Sequence, residues 1–242
     1  MTWLVLALSA IAGGVVQTVT GFGAAVVMML FVPSFLGMIA APAIVQTVCA
    51  GLSVPLVVKF WRKANWRVCV LPAVIYITCS AVIISLIGSF DLNVLKLLFG
   101  VFLVLLAIYF IFFAKTIKVR ANIPTAVLFS VISGVFSGLF GIGGPLMAVY
   151  FLAATEDKEQ YVGTSQLFFA ACNIFNLVMR CIRGIYTVDL IPLTIAGIAA
   201  INIGKWFGLK ILDRLDRELM KKLVYAFIGI SGIVTIIQYF VK

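Results

Sequence analysis

Histidine is absent from the 242 residues, and the five cysteines (Cys49, Cys69, Cys79, Cys172 and Cys181) form no C-x-x-C pair or other ligand spacing. A His/Cys metal site has nothing to build on, so neither a metal nor a cofactor is expected, and the cysteines read as small apolar fillers inside helices. Charge is scarce: Asp, Glu, Lys and Arg make up 11% of the chain and 64% is hydrophobic, against about 25% and 45–50% in soluble domains. No charged side chain occurs before Lys59. The eight acids (Asp91, Glu156, Asp157, Glu159, Asp189, Asp213, Asp216 and Glu218) fall near segment ends or in connections. This leaves no acid/base pair for an intramembrane hydrolase and no carboxylate proton relay. With no nucleophile–base pair visible either, an enzyme ranks last. Met1-Thr2-Trp3 also lacks a basic n-region, so no cleavable leader is expected.

What is present is hydrophobic sequence in long runs. Charge clusters and turn residues cut the chain into eight apolar stretches, at 3–32, 35–58, 68–89, 92–114, 123–153, 161–179, 188–209 and 221–241. The runs are continuous and do not alternate with period two, so they read as membrane helices and not as barrel strands. The expected class is an all-α polytopic membrane protein, multi-pass in the cell membrane. The excess of 18 Lys+Arg over 8 Asp+Glu is then a matter of topology, and no nucleic acid is expected as a partner.

A shift of 120 residues aligns Leu8, Gly14, Val15, Gly21, Gly23, Gln46, Ala50 and Pro72 with Leu128, Gly134, Val135, Gly141, Gly143, Gln166, Ala170 and Pro192. Three Gly pairs, a Gln pair and a Pro pair are hard to obtain from composition alone, which points to two repeats, 1–114 and 121–242, joined by a basic connector at 115–120. Each repeat carries four stretches. The first of each is rich in glycine, as Gly13-Gly-Val-Val-Gln17-Thr-Val-Thr20-Gly-Phe-Gly23 and as Ser133-Gly-Val-Phe-Ser137-Gly-Leu-Phe-Gly141-Ile-Gly143-Gly-Pro145. Such spacing predicts a break in mid-stretch, with pieces of about 10–17 residues on either side, shorter than a full span. Each first stretch is then a bent crossing helix or a re-entrant hairpin. If both cross, the repeats are parallel and the cytoplasmic side holds 10 of the 18 cations; if both re-enter, the repeats are inverted and only Lys96, Arg180, Arg183 and Lys242 face outward, 14 against 4. The positive-inside rule favours the inverted arrangement.

A helix broken at membrane depth exposes backbone N–H groups at the positive end of a half-helix, and an anion is their natural ligand. Gly143-Gly144-Pro145 and Gly23-Ala24-Ala25 offer such donors twice, and broken helices in duplicated halves point to a transport site. Candidate substrate contacts are therefore the backbone at Gly21, Gly23, Gly141, Gly143, Gly144 and Pro145. Side chains of Gln17, Thr18, Thr20, Gln46, Ser137, Thr164, Ser165, Gln166 and Asn173 could complete the coordination. Gln166 and Asn173, seven residues apart, share one helix face. The G-x-x-x-G pairs Gly134/Gly138 and Gly204/Gly208 read as packing surfaces. Arg180 and Arg183, like Lys59, Arg62 and Lys63, read first as interfacial cations that set topology and second as an attraction for anions at an entrance. Trp3, Trp61, Trp66 and Trp206 sit near segment ends as an interfacial belt.

The run Gly14–Gly23, the run Ser133–Pro145, the Gly163-Thr164-Ser165 step and the duplication together resemble the sulfite exporter family, the TauE/SafE or TSUP permeases. The first copy has Ala24-Ala25 where the second has Gly144-Pro145, so the two half-sites need not be equivalent. The resemblance implies transport of a small sulfur-containing or organic anion (sulfite, thiosulfate or a sulfonate) across a bacterial or archaeal inner membrane. The expected mechanism is that of a secondary transporter working by alternating access, with a passive anion channel or a non-transporting scaffold subunit as alternatives. Lipid and the anion are the expected partners, and a homo-oligomer is left open.

Overall fold

A computed structural model of the chain describes residues 2–89, 91, 119–216 and the isolated positions 98, 101, 219, 222 and 223. The expected stretches 92–114 and 221–241, the connector from Lys115 to Lys118 and the cations Lys96 and Lys242 lie outside the described residues. Among the described residues the fold is all-helical. Its α-helices are α1 (Thr2–Thr20), α2 (Ala24–Met29), α3 (Pro33–Phe60), α4 (Trp66–Leu86), α5 (Ile123–Phe140), α6 (Gly144–Ala154), α7 (Lys158–Ile182) and α8 (Ile191–Arg214). Six of them, α1, α3, α4, α5, α7 and α8, are long and apolar enough to cross a membrane.

Local sequence explains the ends. Asn122 and Asp157 cap α5 and α7 by accepting from the N–H groups of Thr125 and Gln160 at 3.0 and 2.8 Å. Gly141 ends α5 in the left-handed region at φ 71°, a conformation that favours glycine. Gly21 and Gly23, at φ 83° and 108°, do the same between α1 and α2. The breaks thus fall at Gly21–Gly23 and Gly141–Gly143, later than mid-stretch. This corrects the expected lengths: α1 and α5 run 19 and 18 residues before breaking. Gly13, Gly14, Gly134 and Gly138 stay helical because adjacent turns keep their hydrogen bonds, and what they supply is closeness.

That closeness sets the packing. A Cβ at Gly14 would fall on the Ile201 carbonyl, and one at Gly204 on the Ile11 carbonyl, while Gly208 faces Thr18. Helices α1 and α8 therefore run parallel with their backbones in near contact. Helices α5 and α4 do likewise, with Gly134 against Tyr76 and Gly138 against Ile83. At the centre α3 and α7 run antiparallel, with Phe60 beside Gly163 and Gln46 bonded to Arg180. Gly197 meets Val48 and Asn202 bonds the Gly51 carbonyl, which together set α8 parallel to α3; Cys69 bonds the Thr164 carbonyl and Ser80 bonds Asn176, which set α4 parallel to α7. So α1, α3 and α8 point one way, and α4, α5 and α7 the other. The starts of α4, α5 and α7 and the ends of α3 and α8 share one side. Lys158 Nζ, at the start of α7, donates to the Leu215 carbonyl just past α8 at 2.6 Å.

A side chain at Gly204 has no room, and overpacking costs about 1–3 kcal/mol or more when the obstacle is backbone. Gly204→Leu is expected to lower the thermal midpoint of the purified protein sharply. Gly88→Ala, at a position with nothing within 4 Å, should leave stability within about 0.5 kcal/mol.

Candidate functional site

The two breaks meet in the interior. A Cβ placed on Gly144 would lie 3.2 Å from the Cβ of Phe22, so the loop of the first break packs on the first turn of α6. Phe22 and Ile142, the residues between the paired glycines, are each 1% exposed. Gly143 has φ −119°, and its lack of a side chain answers to space: a Cβ there would collide with the Tyr76 ring and the Ser133 carbonyl. Pro145 sits in the first turn of α6, where its missing N–H costs no helical bond.

Each break leaves carbonyls at the end of α1 or α5 without an intrahelical partner, and in a membrane they need one. At the first break the donors come from the opposite half of the chain; at the second, Gln46 does, while Asn176 and Arg180 come from the same half. At the first break, Gln166 Nε2 donates to the Gly21 carbonyl at 2.7 Å, and the Tyr161 hydroxyl donates to the Thr20 carbonyl at 2.6 Å. Gln166 Oε1 accepts from Gln17 Nε2 at 3.2 Å and from Ser53 Oγ at 2.9 Å. At the second break, Gln46 Nε2 donates to Ser137 Oγ at 2.8 Å, and Asn176 Nδ2 donates to the same oxygen at 3.1 Å. Arg180 closes this set. Its Nη2 donates to the Gly138 carbonyl at 2.8 Å and its Nε to Gln46 Oε1 at 3.1 Å.

Several expected contacts gather here and others do not. Gln17, Gly21, Gln46, Ser137, Gly141, Gly143, Gly144 and Gln166 line the two breaks. Asn173 is buried on the same helix as Gln166 but makes none of these bonds. The hydroxyls of Thr18 and Ser165 bond carbonyls of their own helices, at Gly14 and Val162, as membrane hydroxyls do when no other partner is in reach. Thr20 bonds Val16 and Phe22, which ties down the break itself. Thr164 accepts from the Asn65 N–H at 2.9 Å and so secures the start of α4. The second anion-binding half-helix is also lost from the first break: α2 has six residues, too short for a useful dipole, whereas α6 has eleven.

Arg180 is the largest departure from expectation. Its place in the sequence is that of an interfacial cation, yet it is 0% exposed and reaches inward to the second break. Its Nη1 has no hydrogen-bond partner, and Ser133 Oγ, one turn before Ser137, is likewise unpartnered. The Tyr76 hydroxyl lies against Gly143, and its ring packs edge-on against Phe168. The ion pair found among the described residues, Lys63 with Glu159 at 3.5 Å, is exposed and far from the break. The sequence carries a signal for this residue: Gln166, Asn173 and Arg180 recur every seven residues on α7, which extends one polar face through two heptads.

The family described as sulfite exporter TauE/SafE matches residues 5–235. A probable membrane transporter protein of Methanocaldococcus jannaschii is 27% identical over 183 residues, covering 71% of this chain and 68% of that protein. No solved structure matches the chain.

Replacing Gln166 by Leu strands the Gly21 carbonyl, at a cost of about 1–3 kcal/mol for a buried group without a partner, and leaves Gln17 Nε2 with Ser53 Oγ alone. Thermal unfolding of Gln166→Leu should show that loss, and Ser165→Ala should show less than about 1 kcal/mol, because its hydroxyl only bonds its own helix.

Proposed function

The chain belongs to the sulfite exporter TauE/SafE family of membrane transporters, and on that premise we propose that it is a secondary transporter of a small sulfur-containing or organic anion, working by alternating access in the inner membrane. The observation that carries the reading is the buried meeting of two helix breaks, Phe22 on Gly144, each clasped by a glutamine from the other half. Broken helices at such a junction present backbone groups to a substrate where lipid-facing backbone would be intolerable.

The architecture we propose is a pair of inverted repeats, 1–114 and 121–242, whose first stretches re-enter. Helix direction supports it. Helices α1 and α3 run the same way with only α2 between them, so the chain has to come back between the two. The same holds for α5, α6 and α7, in the opposite sense. Charge supports it too. Lys59, Arg62, Lys63, Arg67, Arg120 and Arg214 gather on the side where α3 and α8 end, against exposed Arg183 on the other, and this matches a cytoplasmic and an outer face.

Packing supports one choice of moving bodies. Helix α1 is bound most closely to α8 and α5 to α4, so the units that shift past one another are α1, α2 and α8 against α4, α5 and α6. Each unit draws on both repeats. Sliding of that kind would part Phe22 from Gly144 and open the junction to either face.

Proteoliposomes of the purified protein should show saturable, counterflow-competent flux of sulfite, thiosulfate or a sulfonate. Flux without saturation or counterflow would indicate a channel, and no flux with intact assembly a scaffold. Gly143→Leu, which drives a side chain into Tyr76, should remove the flux, and full transport by this variant would refute the site. Orientation is checked separately. In a C181S background, Arg183→Cys should react with a membrane-impermeant maleimide in intact cells, and Arg62→Cys only after permeabilisation.

A further inference from the structure

Resting on the transporter reading above, we propose that Arg180 recognises the negative charge of the substrate, and that the anion binds at the second break alone, where Arg180 Nη1, Ser133 Oγ and the first turn of α6 converge. Two buried side-chain polar atoms among the described residues lack a hydrogen-bond partner, Arg180 Nη1 and Ser133 Oγ. Both belong to the α5–α6 break: Ser133 is one helical turn before Ser137, and Arg180 Nη2 reaches the Ser137 and Gly138 carbonyls. Tyr76 bridges the cluster, with its hydroxyl against Gly143 and its ring among Phe168 and the Ser133 carbonyl.

The charge balance points the same way. A fully buried guanidinium is costly unless a counter-charge meets it. The seven acids among the described residues lie in connections or near helix ends, and none is buried. The carbonyl end of α5 offers only about half a negative charge. A monoanion completes the balance. An arginine suits the task better than a lysine because its planar fork can hold Gln46 and Gly138 with Nε and Nη2 and still present Nη1.

The first break is built differently. Phe60 stands 120 residues before Arg180, and Gly13, packed against Ala24, stands 120 before Ser133. Its polar groups, Gln17, Ser53, Gln166 and the Gly21 carbonyl, bond one another. The duplicated glycines therefore serve two purposes: the first break is a self-satisfied clasp, and the second is the binding site. The ligand class follows from the same groups. A compact oxyanion with one or two negative charges fits Nη1, a hydroxyl and backbone N–H groups, whereas a zwitterionic sulfonate would bring an ammonium to a place with no carboxylate to receive it.

The test uses the full-length protein in nanodiscs at constant ionic strength, with thermal unfolding followed against sodium thiosulfate, sodium sulfite and taurine. Thiosulfate or sulfite should raise the wild-type midpoint with saturation, and taurine should not. R180Q should lose the saturable shift, and R180K should need at least tenfold more anion for half-saturation. Unchanged half-saturation in R180Q overturns the proposal; if R180Q is not recovered folded, unchanged half-saturation in R180K does so. Stabilisation by taurine equal to that by thiosulfate also overturns it. A wild-type protein that transports one of these anions while both Arg180 variants bind it normally sinks this assignment and leaves the transporter reading standing. A wild-type protein that neither transports nor is stabilised by any of them removes both.

Discussion

A carbonyl at the end of a helix inside a membrane has neither water nor a next turn to bond to. This chain creates such ends twice, after α1 and after α5, and much of its interior is arranged to answer them. Gln166 and Tyr161 serve the first end, and Arg180 and Gln46 gather at the second. All four donors sit on α3 or α7, the central antiparallel pair. The breaks can exist only because those two helices are held in register. That register rests on small residues, since Gly163 lets Phe60 and Ala64 come close.

The two glycine-rich breaks are not built with the same chemistry. At the first end an amide from Gln17 meets an amide from Gln166, and both are neutral. At the second, Ser137 is too short to fill the same space, and Arg180 enters instead. A small side chain and a long cation are thus complementary replacements, one made on α5 and the other on α7. The change in helix length agrees with this asymmetry: α6 has three turns behind its first N–H groups, where α2 has under two.

The helical class, the six apolar stretches that fall among the described residues, the glycine breaks and the interior amides Gln46 and Gln166 are legible in the sequence, because clustered glycines and lone amides within apolar runs are costly unless the fold uses them. The polar partners are only partly legible. Thr18, Ser165 and Thr164 look like ligands in a sequence, but a hydroxyl in a helix can always turn to a carbonyl behind it, and only the register of neighbouring helices decides whether it does. Arg180 is concealed for a related reason. Its position near the end of α7 suits an interfacial cation, and the length of its side chain hides how far inward the guanidinium reaches. Gly14 and Gly134 point to a break in the sequence and make near contacts in the fold, since a glycine marks thin backbone as readily as bent backbone.

The contact of Gly14 with Gly204 bears on how the protein is made. The chain leaves the ribosome from its N-terminus, and α8 follows α1 by about 190 residues. At about 5–20 residues per second that is an interval of roughly 10–40 s. During it the glycine face of α1, the break at Gly21–Gly23 and the Gln17 amide lack the partners from the second half of the chain that hold them in the finished protein. Gln166 and Tyr161 are also still to come. Helices α1 and α2 are therefore made long before the helix that lies along them, and they reach their finished packing only when α8 arrives.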